Sequence, residues 1–178
     1  RLDGDDAESF KSWPASELGS LDQQDARGNL IASGLWTTLR TRPFSRIPAP
    51  DATPSALFVT AIDTNPLAVD PAFFIEQDPE TFQDGLMVLS RIVDCPIYVC
   101  TAPDSGIKCP ESDRFRHAEF EGPHPAGLGG THIHFLEPAG KTKTVSHIGY
   151  QHVMAIGNLF TSGRLPTERM ITLCGPMV

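Results

Sequence analysis

The stretch 121–135, EGPHPAGLGGTHIHF, places three histidines around a run of glycines. His132 and His134 form an H-x-H pair, and on a strand both imidazoles would point to the same side. With His124 reaching across the loop, three neutral imidazoles could hold a zinc ion and leave one coordination position open. A catalytic zinc would also need a carboxylate base nearby, and Glu121 is the candidate.

The same stretch allows two other interpretations. Gly127, Gly129 and Gly130 would let backbone amides approach a phosphate or a flat ring. The stretch lacks the Lys and Ser/Thr of a P-loop, however, so it does not single out a nucleotide. Histidines beside such a loop also commonly pack between loop and strand. Metal binding, ligand contact and packing therefore all stay open at this point.

A second polar stretch follows the first long apolar run. It contributes Asp63, Thr64, Asn65 and Asp70. Ligands of open α/β sheets bind beyond the carboxyl ends of the strands, so these residues are well placed for a site. The alternative is a capped turn, in which Asp and Asn side chains bond nearby backbone and two prolines set the bend. No G-x-G-x-x-G follows, so the usual dinucleotide fingerprint is missing.

The elements that must position these loops follow a βαβ pattern. Helical spacing predicts helices over 22–40, 78–93 and 151–160, and apolar runs predict strands over 55–63, 96–102, 116–122, 142–150 and 168–175. We therefore predict one α/β, Rossmann-like domain over residues 22–165. Residues 1–21 are expected to be an upstream linker. Residues 166–178 would form a strand that closes this domain or leads into the next one.

Composition excludes several classes of protein. The 178 residues carry a net charge of −8, which argues against nucleic acid or anionic lipid as a direct partner. The apolar runs are far shorter than the roughly 20 residues of a membrane span. The acidic start at Arg1 does not look like a signal peptide, and we expect a fragment of a longer protein. The four cysteines include no C-x-x-C, so we expect free thiols in a cytosolic protein.

Three long strings carry a family resemblance. They are GLWTTLRTRPFSRIPAPDATPSALFVTAIDTNPLAVDP (34–71), EGPHPAGLGGTHIHFLEPAGKTKTVSHIGYQHVMAIGNLFTSGRL (121–165) and TERMITLCGP (167–176). In this order they closely resemble the A subunits of the sodium-translocating NADH:quinone oxidoreductases. The resemblance implies the central part of a longer subunit, peripheral to the cytoplasmic side of the bacterial inner membrane. Its partners would be the other subunits of the pump, integral membrane subunits among them, and quinone.

The same resemblance implies an oxidoreductase complex in which this subunit performs no chemistry of its own, so the fragment alone would be inactive. Ubiquinone is the ligand it suggests, and no flavin or metal is expected here. A more distant likeness is to the flavin-binding domain of the respiratory complex I flavoprotein subunit, where an acidic loop and a glycine-rich loop enclose the flavin. The alternatives are a flavin-binding electron-transfer domain and a structural scaffold with a vestigial pocket.

The positions that correspond to these two loops are our predicted site. Any quinone contact there would use backbone amides and neutral imidazoles as donors to the carbonyl oxygens, with apolar walls such as Phe135. The predicted binding residues are Asp63, Thr64, Asn65, Gly127, Gly129, Gly130, His132 and His134. No catalytic residue and no metal ligand is predicted.

Overall fold

A five-stranded sheet forms the centre of the protein in this computed structural model, which describes residues 8–173 and 175. The strands are β1 (Arg40–Arg42), β2 (Leu57–Ala61), β3 (Ile97–Thr101), β4 (Phe115–Glu119) and β5 (Val145–Gly149). Their order across the sheet is β1-β5-β2-β3-β4. β1 runs antiparallel to β5, and every other neighbouring pair is parallel.

Helices cover both faces of this sheet. They are α1 (Gln23–Ala32), α2 (Pro71–Ile75), α3 (Pro79–Ile92), α4 (Gly129–Leu136) and α5 (Tyr150–Ser162), with short 3₁₀ helices at Ala15–Ser20 and Leu35–Thr38. The larger core joins one sheet face to α1, α3 and α5. A smaller core joins the other face to α4 through Phe58, Tyr98 and Ile133. The predicted α/β class is therefore confirmed.

The chain reverses its direction of travel through the sheet at β2. From β2 it moves through β3 to the edge strand β4, and it then returns to place β5 on the other side of β2. This is the switch-point arrangement of open, doubly wound α/β sheets, in which loops diverge beyond the carboxyl ends of adjacent strands. The loops after β2 and before α4 both lie in this part of the fold.

Local signals explain the elements that were predicted well. Asp78 caps α3 by accepting a hydrogen bond from the Thr81 amide at 3.1 Å, and Pro79 occupies the first helical position. β2 and β3 are buried on both faces, as expected for continuous apolar runs in a parallel sheet. The predictions for α3, α5, β2, β3, β4 and β5 are confirmed to within a few residues.

Two predictions of local structure were wrong, and one short helix was not predicted. The helix predicted over 22–40 ends at Ala32, because Gly34 takes a left-handed conformation with φ of 78° and the chain then enters β1. The strand predicted over 168–175 is not formed within its described residues, and Ile171 and Leu173 are largely exposed there. α2 was not predicted; Asp70 caps it by accepting from the Ala72 amide at 2.9 Å.

No helix among the described residues has both the length and the hydropathy that crossing a bilayer would require.

Two glycines determine how closely α3 and α5 pack. A Cβ on Gly85 would lie 2.0 Å from the carbonyl oxygen of Val153, and a Cβ on Gly157 would lie 2.0 Å from that of Thr81. Neither distance is possible for real atoms, so the two helices approach backbone to backbone. Gly28 of α1 is different, because a Cβ there would meet nothing within 4 Å.

We predict that Gly85→Ala and Gly157→Ala each lower the free energy of unfolding by about 3 kcal/mol, the upper end of typical overpacking costs, because the helices must move apart. Gly28→Ala is the matched control and should stabilise the protein by up to about 1 kcal/mol through helix propensity. Urea unfolding of the three variants measures both effects. Equal stabilities for Gly85→Ala and Gly28→Ala would show that the helices do not pack this closely.

Candidate functional site

A crevice opens beyond the carboxyl ends of β2 and β3. Its volume is about 290 Å³. The apolar part of its wall consists of Ile62, Ala68, Ala102, Pro103 and Phe120, and the polar part of Asp63, Thr64, Asp70 and Glu121. We call this cavity the carboxyl-edge crevice. Two of the predicted binding residues, Asp63 and Thr64, line it.

The loop that follows β2 is held by its own side chains. Asp63 Oδ1 accepts hydrogen bonds from the Asn65 amide at 2.9 Å and from Asn65 Nδ2 at 2.7 Å. Asp70 caps α2 at the other end of the loop. These are the bonds of a capped turn, which was the alternative to a ligand loop. They use only one of the two carboxylate oxygens of Asp63.

The glycine-rich stretch contacts this loop directly. The Gly127 amide donates to Thr64 Oγ1 at 2.8 Å, and a Cβ on Gly127 would lie 2.6 Å from the Thr64 nitrogen. His124 Nδ1 lies 3.4 Å from the same hydroxyl oxygen. Gly127 is therefore required for close approach of two segments of this chain. At this point the two loops touch, and no flat ring fits between them.

The H-x-H pair lies on a helix, and this corrects the prediction that both imidazoles point to one side. Residues two apart on a helix lie on nearly opposite faces, so His132 is buried with 0% exposure while His134 is exposed. His132 Nε2 lies 2.9 Å from the Ala126 carbonyl oxygen and its ring packs on Phe120. Burial lowers the pKa of His132, although the bond to Ala126 opposes this. His132 is a packing residue that holds the loop.

Within the described part of the chain, no group of three or more His, Cys, Asp or Glu side chains is placed to hold a metal ion. The zinc arrangement considered for His124, His132 and His134 is therefore not formed. The thiols of Cys95 and Cys100 are free and buried, and burial raises their pKa values to about 11 and about 12. Cys109 is free and half-buried, and Cys174 lies outside the described residues.

The remaining predicted residues lie on the α4 side of the sheet. Gly130 and His134 line a second cavity of about 260 Å³, together with Arg42, Pro43, Ile133, Pro138 and Ala139. We call this cavity the α4 pocket. Gly129, the residue before Gly130, packs on the sheet: a Cβ there would lie 3.2 Å from Thr60 Oγ1 and 3.4 Å from His147 Nδ1. The structure thus divides the predicted site between two cavities.

Arg42 and His147 were missed from the sequence. Arg40 and His147 are direct partners in the antiparallel pair of β1 and β5, and Arg42 is paired with Val145. Paired residues point to the same face, so both arginines and His147 lie on the α4 side. The alternation of arginines in LRTRP (39–43) is the one local signal, and the helix predicted over 22–40 ended in the middle of it.

The fold and the two cavities are those of an open α/β domain with loops gathered at a switch point. A family model described as the NqrA second alpha/beta domain matches residues 21–165. The chain belongs to this family.

Three relatives show how far the similarity extends. Each is named as the A subunit of a Na(+)-translocating NADH-quinone reductase. All 178 residues of the chain align with the proteins of Glaesserella parasuis serovar 5 and Pasteurella multocida, with identities of 51% and 47%. An alignment of 99% of the chain with the protein of Neisseria meningitidis serogroup A gives an identity of 52%. The chain spans 40% of the length of each relative.

We predict a loss of stability as the pH falls from about 6.5 towards 4. Burial, followed by the charges of Arg42 and Arg40, lowers the pKa of His147 to about 4, and burial, followed by Arg169 and Arg40, does the same for His152. Both imidazoles are neutral in the folded protein, so the unfolded state, with histidine pKa values near 6.5, takes up more protons in this range. Their contribution is therefore complete above pH 6.5 and is lost below it.

The measurement is urea unfolding at pH 7 and pH 5, where most carboxylates stay ionised. Wild type should lose on the order of 2 kcal/mol, a figure reduced for the partial exposure of both rings. A His147→Gln, His152→Gln double variant should lose clearly less. Equal losses of unfolding free energy in the two proteins would show that His147 and His152 do not cause the pH dependence.

Proposed function

We propose that this chain is part of a peripheral subunit of a sodium-pumping NADH:ubiquinone oxidoreductase. In this proposal it lies on the cytoplasmic side of the bacterial inner membrane, is held by other subunits including the integral membrane ones, and serves quinone association and assembly of the complex. It performs no chemistry of its own. One observation supports this proposal most strongly. About half of the residues are identical in each of three proteins that are named as the A subunit of such a reductase.

The carboxyl-edge crevice is the place we propose for the quinone headgroup. A quinone ring is flat and uncharged, and its two carbonyl oxygens accept hydrogen bonds. Five apolar residues supply the walls of the crevice. Thr64 Oγ1 accepts from the Gly127 amide and lies 3.4 Å from His124 Nδ1, so its hydroxyl hydrogen can donate either to that ring nitrogen or to a quinone carbonyl oxygen.

The charge of the crevice favours a neutral ligand over a flavin nucleotide. Asp63, Asp70 and Glu121 line it, and no arginine or lysine does. These carboxylates would repel the phosphate of flavin mononucleotide, whereas they leave an uncharged quinone unaffected. We propose that the domain shares its architecture with the flavin-binding domain of the complex I flavoprotein and that its crevice has been converted to another use.

We predict that Ala68→Leu raises the KM for quinone several-fold in the assembled complex, because the added side chain occupies space that the ring requires. Ala52→Leu is the matched control. Both alanines are half-buried, and each donates its amide to a carbonyl three residues earlier. The measurement is steady-state quinone reduction at varied quinone concentration. NADH oxidation with an artificial electron acceptor, measured in parallel, shows whether the complex is intact.

An unchanged KM for quinone in an intact Ala68→Leu complex would show that quinone does not bind in this crevice. Visible flavin absorbance in the purified full-length subunit would support the alternative of a flavin-binding electron-transfer domain. Normal quinone kinetics together with poor assembly of the variant would favour a structural scaffold.

A further inference from the structure

Arg42 is an exception among the half-buried arginines of the described chain. Arg27, Arg40, Arg91 and Arg114 each donate to backbone carbonyl oxygens, for example Arg114 Nη1 to Ser90 at 2.7 Å and Arg91 Nε to Leu21 at 2.9 Å. The Arg42 guanidinium makes no hydrogen bond or ion pair with any described residue, and its Nε is fully buried. A guanidinium is always charged, and a buried charge without a partner is costly.

A second unpartnered donor or acceptor lies on the same face. His147 Nε2 is buried without a hydrogen-bond partner among the described residues. His147 is paired with Arg40 across β1 and β5, and Arg42 lies two residues after Arg40 on β1. The unpartnered atoms of Arg42 and His147 therefore lie on the face of the sheet that α4 covers.

The first turn of α4 completes this arrangement. The amides of Gly129 and Gly130 donate no hydrogen bond to a described residue, because the first turn of a helix has no acceptors for them. A Cβ on Gly129 would lie 3.4 Å from His147 Nδ1, so this turn packs directly against the imidazole. Free amides and the positive end of the helix favour an anion here.

Two of these residues, Arg42 and Gly130, line the α4 pocket, and no carboxylate of the described residues does. Its polar side chains are Arg42 and His134, and the rest of its wall is apolar. In a chain of net charge −8, such a cavity is unusual. We propose that the α4 pocket binds a phosphate-bearing ligand, with the oxyanion accepting hydrogen bonds from the Arg42 guanidinium and with Gly130 at its edge.

The apolar part of the pocket suits the organic part of a phosphate ester. Ile133, Pro43 and Pro138 line it, and two aromatic residues adjacent in sequence to its lining, Phe44 and Phe135, are 79% and 71% exposed. The ligand is therefore either a soluble phosphate ester or the headgroup of an anionic phospholipid. Both present the same oxyanion to Arg42. This inference does not depend on where quinone binds.

The test is titration of the full-length subunit with inorganic phosphate at constant ionic strength, followed by calorimetry. Wild type should bind saturably. Arg42→Gln should weaken binding about tenfold or more, the effect of losing a hydrogen bond to a charged group. Arg46→Gln is the matched control: it makes the same charge change on an exposed side chain four residues away and should alter the affinity less than about twofold.

Thermal unfolding separates binding from misfolding. Without phosphate, Arg42→Gln should melt at or above the wild-type temperature, because it removes an unpaired, half-buried charge. Phosphate should raise the melting temperature of wild type and of Arg46→Gln but not of Arg42→Gln. Gly130→Leu is a second test: a Cβ at Gly130 meets nothing within 4 Å, so the side chain should enter the pocket without disturbing the fold and block binding.

Vesicles distinguish the two sources of the phosphate. Co-sedimentation of the full-length subunit with phosphatidylglycerol vesicles but not with phosphatidylcholine vesicles, lost in Arg42→Gln, would identify a lipid headgroup. Arg42-dependent binding of phosphate without vesicle binding would identify a soluble ester. Absence of saturable binding to both probes, or equal binding by wild type and Arg42→Gln, would overturn the proposal.

Discussion

The backbone contact between α3 and α5 is the constraint on which the rest of the domain depends. Gly85 and Gly157 allow each helix to place its backbone against a carbonyl oxygen of the other. The pair forms one layer over β2 and β5, the strands that meet at the switch point. α5 begins at Tyr150, directly after β5, and α3 follows α2, the short helix at which the loop after β2 ends. The helix layer therefore packs on β2, whose carboxyl end leads into the loop that borders the carboxyl-edge crevice.

Local chemistry explains which parts of the fold could be predicted. α3 has an aspartate cap, a proline at its first position and a continuous apolar face, so its start was predictable. α4 has none of these: its N-cap is Leu128, which makes no side-chain capping bond, and it begins with two glycines. Burial of His132 and Ile133 against the sheet stabilises it instead. Such tertiary contacts leave no local pattern, and so the H-x-H pair was assigned to the wrong kind of element.

In the candidate site, too, local sequence indicates some features and tertiary contacts determine the others. Its loops could be located because polar residues directly follow a buried strand. What the residues do depends on contacts between distant segments. Gly127 was expected to let a ligand approach the backbone, yet the structure uses it to bring the backbone of one loop onto Thr64. Arg42 and His147 lie on the same face of the sheet only because β1 pairs with β5, and nothing near either residue in the sequence indicates that pairing.

The two cavities differ in charge, and this difference bears on whether one flavin nucleotide could occupy both. Such a ligand needs a ring-sized apolar crevice and a cationic phosphate site that are continuous with each other. Here the apolar crevice is lined by Asp63, Asp70 and Glu121, whereas the unpaired cation Arg42 lies in the α4 pocket. The stretch from Gly127 to Gly130 runs from one cavity to the other and closes onto Thr64 at its start. One chain segment thus separates the cavity that we propose for a neutral ring from the cavity that we propose for an anion.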